Sequence, residues 1–186
     1  MTADDDDARL LLAKGDRAWS AGRVDEAIQS YQTLAERFPD QPEGYNKLGV
    51  VHAGTHDLER ASDYFLRALE CDRTHVASLS NLGNIYLERG DASTAIWYYS
   101  RALETDPEYA PAHHNMAVAY RKQGNLRDFV RHLKQAQRYE RSPHAMTNPS
   151  RPRDPFFRLG RRLTGIRLWW VLLALAALVV LPRVLR

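Results

Sequence analysis

The chain has 186 residues, and its formal net charge of +3 hides two regions of opposite sign. Residues 1–141 contain 18 Lys and Arg against 22 Asp and Glu, whereas residues 142–186 contain 8 Arg against a single Asp. The one cysteine excludes an intramolecular disulfide, and the acidic start of the chain predicts no secretory signal peptide, so we expect the folded part to stay in the cytoplasm.

After an acidic tail at residues 1–7, the sequence repeats itself with a period of 34 residues. Glycines recur at this period, and each of three alanines is followed four positions later by an aromatic residue. The glycines are Gly15, Gly49 and Gly83, and the pairs are Ala27 with Tyr31, Ala61 with Phe65, and Ala95 with Tyr99. We expect four units of two helices each, at residues 8–41, 42–75, 76–109 and 110–143. Because one such hairpin cannot bury its apolar face alone, the units are expected to stack.

This pattern closely resembles the tetratricopeptide repeat (TPR) family, and the resemblance covers about three-quarters of the chain. It implies an all-α fold in which four helical hairpins stack into a right-handed superhelix. It also implies that the first helices of successive hairpins line a concave groove that holds a partner peptide or protein domain.

Mapped onto this sequence, the groove positions that the resemblance implies are mostly polar. The candidates are Asn46, Lys47, Asn81, Asn84, Asn115, Arg121 and Lys122. Asparagine amides can pair with both the N–H and the C=O of an extended peptide backbone. The alternative is that these residues are ordinary solvated polar groups. The family's clamp for acidic chaperone tails needs basic residues at positions that here hold Val50, Ala77, Pro111 and Val118, so that ligand is not expected.

The fourth unit departs from the repeat, because Phe129 stands in the alanine position and Leu133 in the aromatic position. We expect the last hairpin to be splayed or differently packed. Its second helix also carries a basic stripe at Arg127, Arg131, Lys134 and Arg138. The stripe is either the solvated face of a terminal helix or a surface for anionic lipid or an acidic partner.

A linker at residues 144–154 leads to residues 155–186, where a basic helix is expected to continue into a transmembrane anchor. The uninterrupted apolar run, residues 168–181, would rise only about 21 Å as a helix, against a hydrocarbon core of roughly 30 Å. Arginine side chains at both ends can snorkel, which extends the predicted span to residues 163–185. A shallow interfacial segment and burial in a soluble partner are the alternatives.

The charges that flank this segment predict its orientation. Most of the arginines precede the predicted span, so the positive-inside rule places the repeats in the cytoplasm of a single-pass membrane protein. The basic residues expected at the lipid headgroups are Arg158, Arg161, Arg162 and Arg167, and the aromatic residues expected at the interface are Trp169 and Trp170. The preference for arginine over lysine, of which there are four, suggests a bacterial inner membrane.

The sequence therefore favours a membrane-anchored scaffold that binds a protein partner, either a peptide segment or a subunit of a membrane complex. The alternative is a permanent accessory or assembly subunit of an integral membrane complex. We expect no enzymatic activity and no cofactor, because no phosphate-binding loop, nucleophile elbow or positioned carboxylate pair occurs. The seven histidines lack metal-site spacing. A basic segment beside an apolar one favours anionic lipid over nucleic acid.

Overall fold

Eight helices in chain order make up residues 3–141, the part of the chain that the computed structural model describes, and no strand occurs among them. They are α1 (Ala3–Ser20), α2 (Val24–Arg37), α3 (Pro42–Gly54), α4 (Leu58–Cys71), α5 (Val76–Glu88), α6 (Ala92–Thr105), α7 (Ala110–Lys122) and α8 (Leu126–Glu140). Each odd-numbered helix packs against the next helix to form a hairpin, and each hairpin packs on the following one. The described residues are therefore an all-helical, superhelical stack of four hairpins.

The two helices of each hairpin are joined by a turn whose second residue has a positive φ angle. Gly22, Gly90 and Gly124 take φ values of 76°, 88° and 77° there, and His56 takes 64° in the second hairpin. Side chains that carry a Cβ rarely adopt this left-handed conformation, so glycine is the favoured residue. His56 therefore holds backbone strain that the other three turns avoid.

A polar side chain caps the helix that follows the turn in three of the four hairpins. The Oδ1 atoms of Asp57, Asp91 and Asn125 each accept a hydrogen bond from the backbone N–H three residues later. Such caps satisfy a backbone donor that has no partner inside the helix. Proline in the first turn starts α3 and α7 without the loss of a helical hydrogen bond.

The glycine of each regular first helix lies against the aromatic ring of the second helix, as the repeat pattern indicates. A Cβ built on Gly49 would lie 2.5 Å from the Phe65 ring. The same close approach joins Gly15 to Tyr31 and Gly83 to Tyr99. All three rings are almost fully buried. The missing Cβ therefore provides the space for each ring, and this contact closes the hairpin.

The fourth hairpin is differently packed and not splayed, so only the second of the two alternatives expected from Phe129 holds. Phe129 is half-buried, and the guanidinium of Arg121 lies 5.8 Å from its ring centroid. The residues that α8 buries are His132 and Ala136. The turn at Gly124 and the contact between α7 and α8 are kept, so the departure concerns the interior of the hairpin and not its existence.

The acidic residues at the N-terminal end belong to the first helix. It begins at Ala3, so Asp4, Asp5 and Asp6 of the acidic segment at residues 1–7 form its first turn. Carboxylates are stabilising at this place because the N-terminus of a helix carries a partial positive charge. Asp7 in addition forms an ion pair of 2.7 Å with Arg37 of α2.

The predicted linker at residues 144–154 and the basic and apolar segment at residues 155–186 lie outside the described residues, as do Arg158, Arg161, Arg162, Arg167, Trp169 and Trp170. Within residues 3–141, no helix combines the length and the apolar character that a membrane crossing requires.

Candidate functional site

A polar node joins the first three helices at Asp16. The Oδ1 atom of Asp16 accepts a hydrogen bond of 2.7 Å from the hydroxyl of Tyr31 on α2. The same atom accepts a second hydrogen bond of 2.7 Å from Nζ of Lys47 on α3. Burial, followed by the hydrogen bond to Asp16, raises the pKa of Tyr31 well above its ordinary value, so the hydroxyl remains a donor. One carboxylate oxygen thus links a hairpin internally and couples it to the next hairpin.

An equivalent node occurs two repeats later at Asn84. Its Oδ1 atom accepts hydrogen bonds from the hydroxyl of Tyr99 at 2.8 Å and from Nδ2 of Asn115 at 2.7 Å. The Nδ2 atom of Asn84 is buried and has no hydrogen-bond partner among the described residues. The three positions are those of Asp16, Tyr31 and Lys47 shifted by two repeats, so the arrangement belongs to the repeat and not to one local contact.

The second repeat replaces this node, because Val50 offers no acceptor and Phe65 has no hydroxyl. Nδ2 of Asn81 instead donates to Oδ1 of Asn46, over 3.0 Å. The hydroxyl of Ser78 donates to the same oxygen over 3.2 Å. Asn46 and Asn81 are both buried, so this bridge between α3 and α5 lies inside the stack.

Two further predicted residues lie at the end of α7. Nζ of Lys122 donates to the backbone carbonyl of Leu87 on α5 over 3.1 Å, and Arg121 lies over the Phe129 ring. Both side chains remain exposed, whereas Lys47, Asn84 and Asn115 are half-buried. The candidate residues therefore lie on α3, α5 and α7, where most of them link one repeat to the next. Their contact with a partner stays a prediction.

The sequence contains a signal for these nodes that the repeat pattern alone does not reveal. Where the first helix has a polar acceptor, Asp16 or Asn84, the aromatic position holds tyrosine. Where the first helix has valine, the aromatic position has no hydroxyl. Val50 goes with Phe65 in the second repeat, and Val118 goes with Leu133 in the fourth. The two positions vary together because a buried hydroxyl requires a hydrogen-bond partner.

A second cluster, which the repeat pattern does not predict, lies inside the fourth hairpin. Nε2 of His113 lies 2.9 Å from the carbonyl of Pro107, and Nδ1 of His113 lies 3.0 Å from Nδ1 of His132. The carbonyl can only accept, so Nε2 of His113 donates and its Nδ1 accepts in a neutral ring. Nδ1 of His132 must then donate. Its remaining nitrogen, Nε2, faces Arg131 over 3.4 Å.

Both histidines of this cluster are held neutral. Burial, the neighbouring His113 and the charge of Arg131 lower the pKa of His132 to about 4. Burial also lowers the pKa of His113, against the carbonyl of Pro107 and the charge of Asp106, which raise it. A proton on either ring would put two N–H groups face to face in the cluster. Aromatic stacking with Tyr120 and Tyr139 completes the packing around the pair.

The basic stripe predicted on α8 lies on the exposed face of that helix. Arg127, Arg131, Lys134 and Arg138 are all exposed. Arg131 forms an ion pair of 3.0 Å with Asp128 of the same helix. Within residues 3–141, no group of three or more His, Cys, Asp or Glu side chains is arranged to hold a metal ion.

Comparison with solved structures finds the same helical stack in several proteins. MamA matches at 23% identity and a TM-score of 0.61, over 72% of this chain and 78% of that chain. MamA 41-end from Desulfovibrio magneticus RS-1 matches at 21% identity and a TM-score of 0.59, over 73% of this chain and 76% of that one. An O-GlcNAc transferase mutant from Thermobaculum terrenum matches at 26% identity and a TM-score of 0.62, over 75% of this chain but only 27% of the transferase. These likenesses concern the fold.

No curated protein matches the chain at a significant level. Three family models do match, two described as tetratricopeptide repeat at residues 12–76 and 64–96, and one as TPR repeat at residues 83–124. Together with the stack of hairpins, these matches show that the chain carries tetratricopeptide repeats.

Proposed function

We propose that this chain is a scaffold that binds a protein partner along the face of α1, α3, α5 and α7 while residues 163–185 hold it at the cytoplasmic side of a membrane. Tetratricopeptide repeats suggest protein–protein interaction. The partner is a peptide segment or a subunit of a membrane complex.

The row of side-chain hydrogen bonds between successive first helices is the observation that carries this proposal. Lys47, Asn81 and Asn115 occupy the same position in three repeats, and each donates to the preceding first helix. These bonds fix the spacing and register of the helices before any partner binds. A surface that is already ordered loses less conformational entropy on binding, which favours affinity.

The membrane part of the proposal is supported by the sequence of residues 155–186. An apolar run of 14 residues follows several arginines, which suit anionic headgroups. A scaffold fixed at a membrane meets partners in the same membrane at a raised effective concentration. Even a modest affinity of the first-helix face would then be sufficient for capture.

The binding face is tested with the full chain, purified in mild detergent and used to retain partners that are identified by mass. Arg121→Glu with Lys122→Glu reverses two exposed charges at the end of α7. Arg67→Glu with Arg73→Glu makes the same change on α4 and the loop after it, and is the matched control. We expect the first variant to lose the partner and the control to keep it. Equal retention by both variants would remove Arg121 and Lys122 from the binding face.

The membrane anchor is tested separately by deletion of residues 163–186 and carbonate washing of membranes. We expect the full chain to stay in the membrane fraction and the shortened chain to be released. If the shortened chain remains, the anchor lies elsewhere. A stoichiometric complex that survives detergent and high salt would instead support an accessory or assembly subunit of a membrane complex.

A further inference from the structure

Two apolar side chains at the start of α8 are exposed although the repeat normally covers them. Leu126 is 66% exposed and Val130 is 44% exposed. In the first repeat the equivalent residues, Val24 and Ile28, pack against the core. In the third repeat the residue equivalent to Leu126, Ala92, is buried. Among residues 3–141 no further hairpin packs on α8, so Leu126 and Val130 remain exposed within this part of the chain.

Helical geometry extends this surface into a stripe. Leu126, Val130 and Leu133 are spaced by four and three residues, which places them on one side of α8. Leu133 is half-buried, and so is Phe129 one turn before it. The stripe therefore begins at the packed side of the helix and opens to the solvent at Leu126 and Val130.

A cationic stripe lies directly beside the apolar one. Arg127, Lys134 and Arg138 are exposed and share a side of α8 through steps of seven and four residues. No carboxylate lies within ion-pair distance of these three side chains among residues 3–141, whereas Arg131 is paired with Asp128. An apolar stripe with adjacent unpaired cations is the pattern of a helix that lies at a lipid interface.

Charge favours an anionic occupant of this face. Residues 142–186 carry 8 Arg and one Asp, so electrostatic repulsion opposes their docking beside Arg127, Lys134 and Arg138. A second copy would meet the same repulsion if its own α8 were the contact. An anionic lipid surface is instead complementary to α8 and to the basic segment that follows it.

We propose that α8 lies on an anionic lipid surface, with Leu126 and Val130 at the acyl boundary and Arg127, Lys134 and Arg138 among the headgroups. This inference rests on the proposed function, since the anchor at residues 163–185 keeps α8 near the bilayer. The 21 residues between Arg141 and the anchor can extend at most about 75 Å, so α8 remains within reach of the membrane. The lipid contact would orient the repeat array and leave its first helices for the partner.

The contact is tested in the full chain with a fluorescent label of known position. Cys71→Ser removes the single cysteine, and Val130→Cys provides one site for an environment-sensitive fluorophore. A second variant with Cys71→Ser and Gln32→Cys carries the label at an exposed site on α2 and is the control. Both are reconstituted into phosphatidylcholine vesicles with or without phosphatidylglycerol, and a quencher is attached to the acyl chains.

We expect the label at position 130 to be quenched in the vesicles that contain phosphatidylglycerol and the label at position 32 to remain bright. Arg127→Gln with Lys134→Gln should lower the equilibrium of lipid contact about 30-fold, from about 1 kcal/mol per basic residue. A label at position 130 that stays bright with phosphatidylglycerol overturns the proposal. Emission that depends on protein concentration and not on lipid also overturns it, in favour of a second copy.

Carbonate extraction of the same vesicles separates this inference from the anchor. If the protein resists extraction while the label at position 130 stays bright, the anchor is supported and the lipid contact of α8 is rejected. If the label at position 130 is quenched but carbonate releases the protein, the α8 contact is supported and the anchor is rejected.

Discussion

The third and fourth hairpins share the same turn and the same cap, yet they close their interiors by different chemistry. In the third, Gly83 makes room for the Tyr99 ring, whose hydroxyl donates to Asn84. In the fourth, Leu133 replaces that ring and His132 is buried, while Ala136 is buried as its equivalent Ala102 is. The turn is therefore common to the hairpins, while their interiors can be filled in more than one way. The difference can be tested by mutations that act on one interior and not on the other.

The largest effect is expected at the glycine of the third hairpin. In Gly83→Ala the new Cβ would overlap the Tyr99 ring, which is fully buried, so the packing around the ring must shift. We expect a loss of about 3 kcal/mol in unfolding free energy, measured by urea denaturation. Repeat arrays can unfold in parts, so far-UV and tyrosine signals should be followed together.

The matched change in the fourth hairpin is Ala117→Gly at the equivalent position. Leu133 stands at the position of Tyr99 here, so the loss should come from helix propensity and one buried methyl group, about 2 kcal/mol in total. A loss at position 117 as large as the loss at position 83 would contradict the view that the two interiors differ.

The next effect is the pH dependence of stability that His132 of the fourth hairpin contributes. The folded pKa of His132 is about 4, below the 6.5 of a free histidine, so the unfolded chain binds more protons as the pH falls. The part of the unfolding free energy that depends on neutral His132 should be fully present above pH 6.5. It should decrease below that pH, by about 2 kcal/mol at pH 5. Urea unfolding at pH 7.5 and pH 5 measures this loss.

Replacement of His132 by phenylalanine keeps a ring for stacking on Tyr120 but removes the titrating group. The loss of stability between pH 7.5 and pH 5 should then become smaller by about 2 kcal/mol. His75, whose pKa burial also lowers, is unchanged in this variant and continues to contribute. An unaltered pH dependence would show that His132 is not the group that destabilises the fold.

A smaller effect is expected when the polar node of the third hairpin is converted into the apolar form of the second. Tyr99→Phe removes the hydrogen bond to Asn84, at a cost of about 1 kcal/mol. The double change Asn84→Val with Tyr99→Phe reproduces the residues of the second repeat, Val50 and Phe65. A double-mutant cycle should therefore give a coupling of about 1 kcal/mol, so that the double variant costs less than the sum. Additive losses would show that the hydroxyl and the amide act independently.

The hairpins themselves could be predicted from the sequence, because small and aromatic residues that must touch recur at a fixed period. The different packing of the fourth repeat could be predicted from a break in this recurrence, because Phe129 has too much volume for an alanine position, but the α7–α8 contact shows that the hairpin is not splayed. The roles of the asparagines were harder to predict. Asn46 and Asn81 are buried, and their partners come from a neighbouring repeat whose register the sequence does not specify.

The histidine cluster shows the same limit. His113 and His132 lie on different helices and do not occupy equivalent positions in the repeat. Their contact therefore depends on how α7 and α8 pack in this one hairpin. A pattern that recurs every 34 residues cannot predict the contact between His113 and His132, because that contact occurs in only one repeat.

The smallest effect concerns the turn that the hairpins share. His56 adopts a φ of 64° where the other three turns have glycine. His56→Gly relieves the strain of a side chain in this region, about 1 to 2 kcal/mol, but increases the freedom of the unfolded chain by about 0.5 to 1 kcal/mol. We expect a net stabilisation of about 0.5 kcal/mol in urea denaturation. The reverse change, Gly90→His, should cost a similar amount. If His56→Gly instead destabilises the protein, the His56 side chain makes a contact worth more than the strain, and its neighbour Glu88, 3.9 Å away on α5, is the first residue to test.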